Sequence, residues 1–340
     1  MPETFRRNER TAFMQEELLG QGSAASKQPE MLYRRCGYSG LHVSAIALGL
    51  PLSAGDRLQP GLRKAMAQRA FDRGITHFDL PASWMRRRPT SGRRMSDALA
   101  GLRRHRDDVV LAAHVGFGAR QGQSAGFGSR KQLLSSLDAI LRGLSLEYVD
   151  VLYSDRYDPS SPLEETMEAL VSAVHQGKAF YIGLAGYAPI MARRAVEILY
   201  RLGTPPIVCQ ASFSMLNPWV EEALLDVLDS YRVSFVADNP MANGLLSEET
   251  LLNVNHGRGS VVRSMRDNTD FHLLKTIAAA RGQTLSQLAL SWVLRDRRVS
   301  SAIITPESPA RLVELCAAVD QTSFTAAELE AITASIGAGK

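Results

Sequence analysis

Asp79, His114 and Asp155 are residues of the types that acid–base chemistry or ligation needs. Asp79 and His114 lie in the apolar runs ITHFDL and DVVLAAHV, and Asp155 directly follows YVDVLYS. Parallel strands would carry all three to neighbouring strand ends. One imidazole with two carboxylates can hold a divalent metal or form an acid–base pair. The simpler reading is a buried polar network with His114 hydrogen-bonded between the two carboxylates. Three ligand types at separated positions favour that reading, so no metal site is assigned.

A second group of chemistry-bearing residues is the segment MRRRPTSGRR (85–94). Arg86, Arg87, Arg88, Arg93 and Arg94 could bind a phosphate-rich ligand, RNA or an acidic protein surface. A solvated loop with helix-end charges explains them equally well. Few aromatics are interleaved, so stacking on single-stranded nucleic acid is not expected. Arg103, Arg104 and Arg106 read as the basic end of a helix. From Arg57 to Lys131 there are sixteen Lys or Arg against five Asp or Glu, although the whole chain carries only +4. One basic face on an otherwise acidic molecule is therefore expected. The Gly-rich stretch GFGARQGQSAGFGS (116–129) is either a lid over the site or a linker to the next helix.

The elements that must position these residues are legible in the apolar text. Eight runs read as covered parallel strands: 44–50, 75–80, 108–115, 148–154, 179–185, 206–211, 233–238 and 299–305. Before them, MLYRRCG and GLHVSAIALGL flank Tyr38-Ser39-Gly40, which reads as a hairpin leading into the first strand. Helical periodicity fills the gaps, for example over 61–74, 129–144, 161–177 and 191–203. Ser129 and Ser161 are candidate N-caps, the latter with Pro162 at the first helical position; Gly74, Gly177 and Gly203 close helices. Trp219 and Trp292 fall on helical patterns and read as core. Strand and helix alternating eight times imply an α/β fold, a closed (β/α)8 TIM barrel with an N-terminal hairpin and extra helices. A doubly wound sheet is the competitor, but no G-x-G-x-x-G opens a helix after any strand.

The 340 residues divide into a polar arm, 1–30, and one barrel domain, 31–340. The arm reads as flexible, with a short helix over about 9–19 as the alternative. No eighteen-residue apolar run occurs, and the N-terminus lacks a secretory h-region. Cys36, Cys209 and Cys316 are scattered and odd in number, which fits a reducing cytoplasm better than a disulfide framework.

In this order the motifs resemble the aldo-keto reductases, in particular the branch with bacterial methylglyoxal reductases and potassium-channel β subunits. The matching text is YRRCGYSGLHVSAIALGL, GITHFDL, LLSSLDAILRGLSLEYVDVLYS, GKAFYIGLAGY and QLALSWVLRDRRVSSAIIT, spread from Met31 to Ile336. The resemblance implies four catalytic side chains at the barrel mouth: Asp, Tyr, Lys and His. The Tyr would protonate the carbonyl oxygen while hydride arrives from NADPH. Carried over by motif, Asp79 is retained, whereas the Tyr position holds Trp84, the Lys position His114 and the His position Asp155. An indole N–H donates hydrogen bonds but has negligible acidity, so it cannot serve as the proton donor.

For the implied cofactor, NADP(H), Gln210 stands where the family grips the nicotinamide carboxamide, and Phe213 where an aromatic ring stacks on nicotinamide. The expected Ser/Asn pair before Tyr187 is Ala185-Gly186. The loop whose Arg would hold the adenosine 2′-phosphate reads Thr305-Pro306-Glu307-Ser308, with Arg311 as a weak substitute and Leu315 at a usually polar position. These departures weigh against NADP(H) binding. The resulting expectation is a pseudoenzyme that acts as a binding, regulatory or assembly subunit. It would be a homo-oligomer as the resemblance implies, with a protein partner or anionic ligand at the 1–30 arm or the Arg86–Arg94 loop, and with no membrane association. The alternative is a weak or repurposed NADP(H)-dependent oxidoreductase of small carbonyl compounds.

Overall fold

A computed structural model of the chain describes residues 30–50, 60–80, 91–117, 126–247 and 260–337. Trp84, Arg86, Arg87, Arg88, the arm through residue 29 and the middle of the 116–129 loop lie outside these residues, as do the side chains of Arg93 and Arg94.

Two short antiparallel strands, β1 (Tyr33–Arg35) and β2 (His42–Ser44), form the hairpin that the sequence predicts. Gly37 makes its turn at φ 59°, a left-handed conformation that glycine adopts without strain. Eight parallel strands then close a barrel: β3 (Ile46–Gly49), β4 (His77–Leu80), β5 (Val110–Gly116), β6 (Val149–Asp155), β7 (Ala179–Ala185), β8 (Val208–Ser212), β9 (Ser234–Asp238) and β10 (Val299–Ile304). Each pairs with its sequence neighbour, and β10 returns to β3. Closure excludes the doubly wound alternative.

Strand alternation divides the core in two. Phe78, Leu80, Leu111, Val115, Leu152 and Leu184 point outward into one large cluster with the surrounding helices. Ala47, Ala112, Val151, Tyr153, Ala185 and Val236 point inward and fill the barrel with a separate, smaller cluster. Trp292 is buried, and the half-buried Trp219 packs on the outer cluster and donates its indole N–H to the Ser212 carbonyl at 2.9 Å.

Helix ends mostly follow their local chemistry. Ser129 caps the helix Arg130–Leu144 by accepting from the Gln132 N–H, and Gly74, Gly177 and Gly203 all have positive φ. Ser161 does not cap the next helix, which runs Leu163–His175 with Pro162 at the cap position. Its hydroxyl donates instead to the Asp158 carboxylate at 2.9 Å, a stronger acceptor within reach. No helix among the described residues is long and apolar enough to cross a membrane.

The barrel is tight at Gly183, where an added Cβ would come within 2.5 Å of the fully buried Tyr153 ring. Gly183→Ala is expected to cost about 1–3 kcal/mol through overpacking. Urea unfolding reads the loss, and an unchanged midpoint would show that Tyr153 can move aside.

Candidate active site at the barrel mouth

The chemistry-bearing residues collect at the C-terminal end of the barrel, where strand alternation turns them inward. Strand β4 presents His77 and then Asp79, β5 presents Ala112 and then His114, and β6 presents Tyr153 and then Asp155. Asp79 and His114 are both buried, and the imidazole Nε2 donates to the Asp79 carboxylate at 2.9 Å. Beneath them the His114 ring stacks on Tyr153, with ring centroids 4.6 Å apart and planes 16° from parallel. Burial alone would lower the His114 pKa. The charge and hydrogen bond of Asp79, helped by Asp155 and Asp238, outweigh it and hold His114 above its ordinary value.

Asp155 is not part of that hydrogen-bonded pair. It lies at the rim, and its closest ion-pair partner is the Arg156 guanidinium at 3.9 Å. Burial pushes its carboxyl upward, while His114 and Arg156 pull it back. The expected network therefore forms between Asp79 and His114 only, and Asp155 joins it through charge alone. No group of His, Cys, Asp or Glu among the described residues is arranged to hold a metal ion.

A third carboxylate joins the site. Asp238 ends β9 and belongs to the same electrostatic cluster as Asp79, His114 and Asp155. It is solvent-accessible, yet the concave wall around it still pushes its carboxyl up. The available signal was its position, an Asp at the C-terminal end of a barrel strand. In the run VSFVAD the apolar pattern marks a strand and gives the terminal Asp no partner.

Inside the barrel are buried polar atoms without hydrogen-bond partners among the described residues: both ring nitrogens of His77, the Tyr153 hydroxyl and Gln210 Oε1. Burial lowers the His77 pKa to about 4, so that ring is neutral at physiological pH.

The cofactor candidates separate in space. Gln210 faces the barrel interior on β8, level with Asp155 across β7, and its unpartnered oxygen suits an amide N–H such as a nicotinamide carboxamide. Phe213 lies away from it, fully buried in the outer cluster against Phe235 and Trp292, with no face toward the mouth. A cleft of about 660 Å³ opens beside Asp238 and is lined by Asn243, Thr305, Glu307 and Arg311 among others. The Arg311 guanidinium is already engaged by the Glu314 carboxylate and by the Ser247 and Ser286 hydroxyls. With Arg311 occupied and Glu307 on the same wall, the cleft does not fit a 2′-phosphate. The nicotinamide end thus retains one matching atom, and the phosphate end does not match.

No lysine among the described residues reaches the mouth. Lys64, Lys131 and Lys275 lie on outer helices, and Lys178 precedes β7 and binds Asp138 at 2.8 Å. Tyr153, beneath His114, is fully buried and burial pushes its hydroxyl pKa well up, while Tyr187 and Tyr157 are committed elsewhere. The Tyr187 hydroxyl pairs with Ser154 at 2.9 Å outside the barrel wall, and Tyr157 packs on the outer cluster. The four internal segments outside the description contain neither Tyr nor Lys.

Comparison with known proteins agrees with this architecture. The family model described as "Aldo/keto reductase family" matches residues 45–336. The chain is 36% identical over 328 residues to "L-glyceraldehyde 3-phosphate reductase" of Escherichia coli K12, covering 92% of this chain and 94% of that protein. It is 29% identical over 303 residues to "Probable voltage-gated potassium channel subunit beta" of Oryza sativa subsp. japonica, covering 85% of this chain and 92% of that protein. A likeness of the same extent links it to the protein of that name from Arabidopsis thaliana, again 29% identical over 303 residues. With a closed eight-stranded barrel and a match of this length, the chain belongs to the aldo/keto reductase family.

Proposed function

We propose that this chain is a binding or assembly member of its family and does not carry out ordinary carbonyl reduction. The observation that carries this reading is the partner of Asp79, a buried imidazole in place of a lysine beside an acidic phenol. No described lysine stands beside Asp79 to acidify a phenol, and the four internal segments outside the description contain no tyrosine. General acid catalysis contributes ~10²–10⁴-fold, so its loss leaves little turnover even if a nucleotide binds. A cytoplasmic location and self-association belong to the same reading. The relatives named as channel β subunits give a family precedent for a partner-bound role.

The test is reduction of small aldehydes, including L-glyceraldehyde 3-phosphate, by the pure chain with NADPH. Background rates are expected. Turnover that Asp79→Ala abolishes would overturn the proposal. One observation favours a second reading, in which a weak oxidoreductase still holds a nicotinamide: the buried, unpartnered Gln210 oxygen. Titration of NADPH fluorescence separates the two, since saturable binding that Gln210→Leu removes supports the second.

A further inference from the structure

We infer that the barrel mouth binds a small organic cation, an ammonium or diammonium compound held between Asp155 and Asp238. This deepens the binding role proposed above by naming a ligand class for the same mouth.

The argument starts from how the charges are paired. His114 is spent on Asp79, and Arg311 on Glu314. Arg156 is largely exposed, its guanidinium lies over the Phe117 ring at 4.0 Å, and it comes no closer than 3.9 Å to Asp155. The Asp238 carboxylate has the backbone N–H of Asn239 and no ion pair among the described residues. Among the described residues, the one ion pair made by these two accessible carboxylates is therefore that of Asp155 with Arg156 at 3.9 Å. Burial raises the pKa of both carboxyls, with His114 pulling each back and Asp79 adding to the rise.

A second, independent observation points to a donor-bearing ligand. Gln210 is 6% exposed, faces the barrel interior level with Asp155, and has no donor to its Oε1 among the described residues. A buried acceptor without a partner is costly, so a ligand that supplies an N–H there gains a hydrogen bond and relieves that cost. Asp155, Asp238 and Gln210 Oε1 are all acceptors, and an ammonium group offers donors alone. The adjoining cleft of about 660 Å³ is large enough for the rest of a small ligand, and Glu307 on its wall disfavours an anion there.

The experiment is calorimetric titration of the full chain with putrescine in an amine-free, low-salt buffer. Succinate and butanediol serve as anionic and neutral controls of the same length. Putrescine is expected to bind saturably and the controls not to bind. Asp155→Asn and Asp238→Asn should each weaken putrescine roughly tenfold, as loss of one charge-assisted hydrogen bond implies. Both are isosteric, and circular dichroism checks that the barrel persists. Absence of saturable putrescine binding overturns the inference, as does binding unchanged in both variants or matched by succinate. This titration contains no nucleotide and reads no turnover, so it can fail while the reductase assay upholds the proposed function, and the reverse.

Discussion

Trp84→Tyr combined with His114→Lys and Asp155→His is expected to raise NADPH-dependent aldehyde reduction by about 10²–10⁴-fold over the natural chain, the usual worth of a general acid. The three changes must be made together. In the position that the family resemblance implies for residue 84, Trp84→Tyr alone would set a phenol by an Asp79 already engaged by His114, with no ammonium to lower the phenol pKa. His114→Lys alone would pair an ammonium with Asp79 and leave no acidic hydroxyl to activate. Groups that act as a unit give non-additive effects, so each single variant should stay near background. Steady-state kcat/KM measures the gain, and NADPH affinity is measured alongside it because Glu307 and the occupied Arg311 oppose the phosphate end. A triple variant that binds NADPH and remains inactive would show that residue 84 does not project into the mouth.

The second large effect concerns stability. His114→Leu removes one half of a buried ion pair and strands the Asp79 carboxylate in the barrel, which should cost about 3–5 kcal/mol. The His114 pKa lies above its ordinary value in the fold, so the fold takes up its proton more readily than the unfolded chain does. Its contribution is therefore complete below the unfolded value of about 6.5 and is lost as pH rises through the folded value. The gap between natural chain and variant should narrow toward alkaline pH. His77 acts in the opposite direction. Burial lowers it to about 4, so stability falls as pH drops from about 6.5 toward that value. Both proteins retain His77, so subtracting their urea-unfolding curves between about pH 5 and about pH 9 reads His114 together with its coupling to Asp79 and His77. A gap that widens with pH would contradict the pairing.

Much of this protein could be read from residue order. All eight strand runs became barrel strands, because a strand covered on both sides must be apolar throughout and that pattern survives any detail of packing. Asp79 and His114 were placed at the mouth for the same reason, since strand direction and two-residue alternation decide which side chains point inward at the C-terminal end. The helix after Asp158 shows where local signals fall short. Ser161 looks like a cap by type and spacing, but the Asp158 carboxylate attracts its hydroxyl, and that competition appears only in three dimensions.

The rest was settled by long-range contacts. That Asp79 bonds His114 while Asp155 stays at the rim depends on how far each side chain reaches across the barrel axis. Phe213 follows Gln210 closely in the chain, yet one residue beyond the end of β8 it continues the strand's alternation and turns to the outer core, a parity that family likeness does not encode. The engagement of Arg311 by Ser247 and Ser286, the isolation of Gln210 Oε1 and the gathering of Asp238 with the other carboxylates involve residues far apart in the chain. Apolar periodicity reports which way a residue faces. Which polar atoms meet, and which remain unpaired, is set by closure of the barrel, where distances across the axis are first defined.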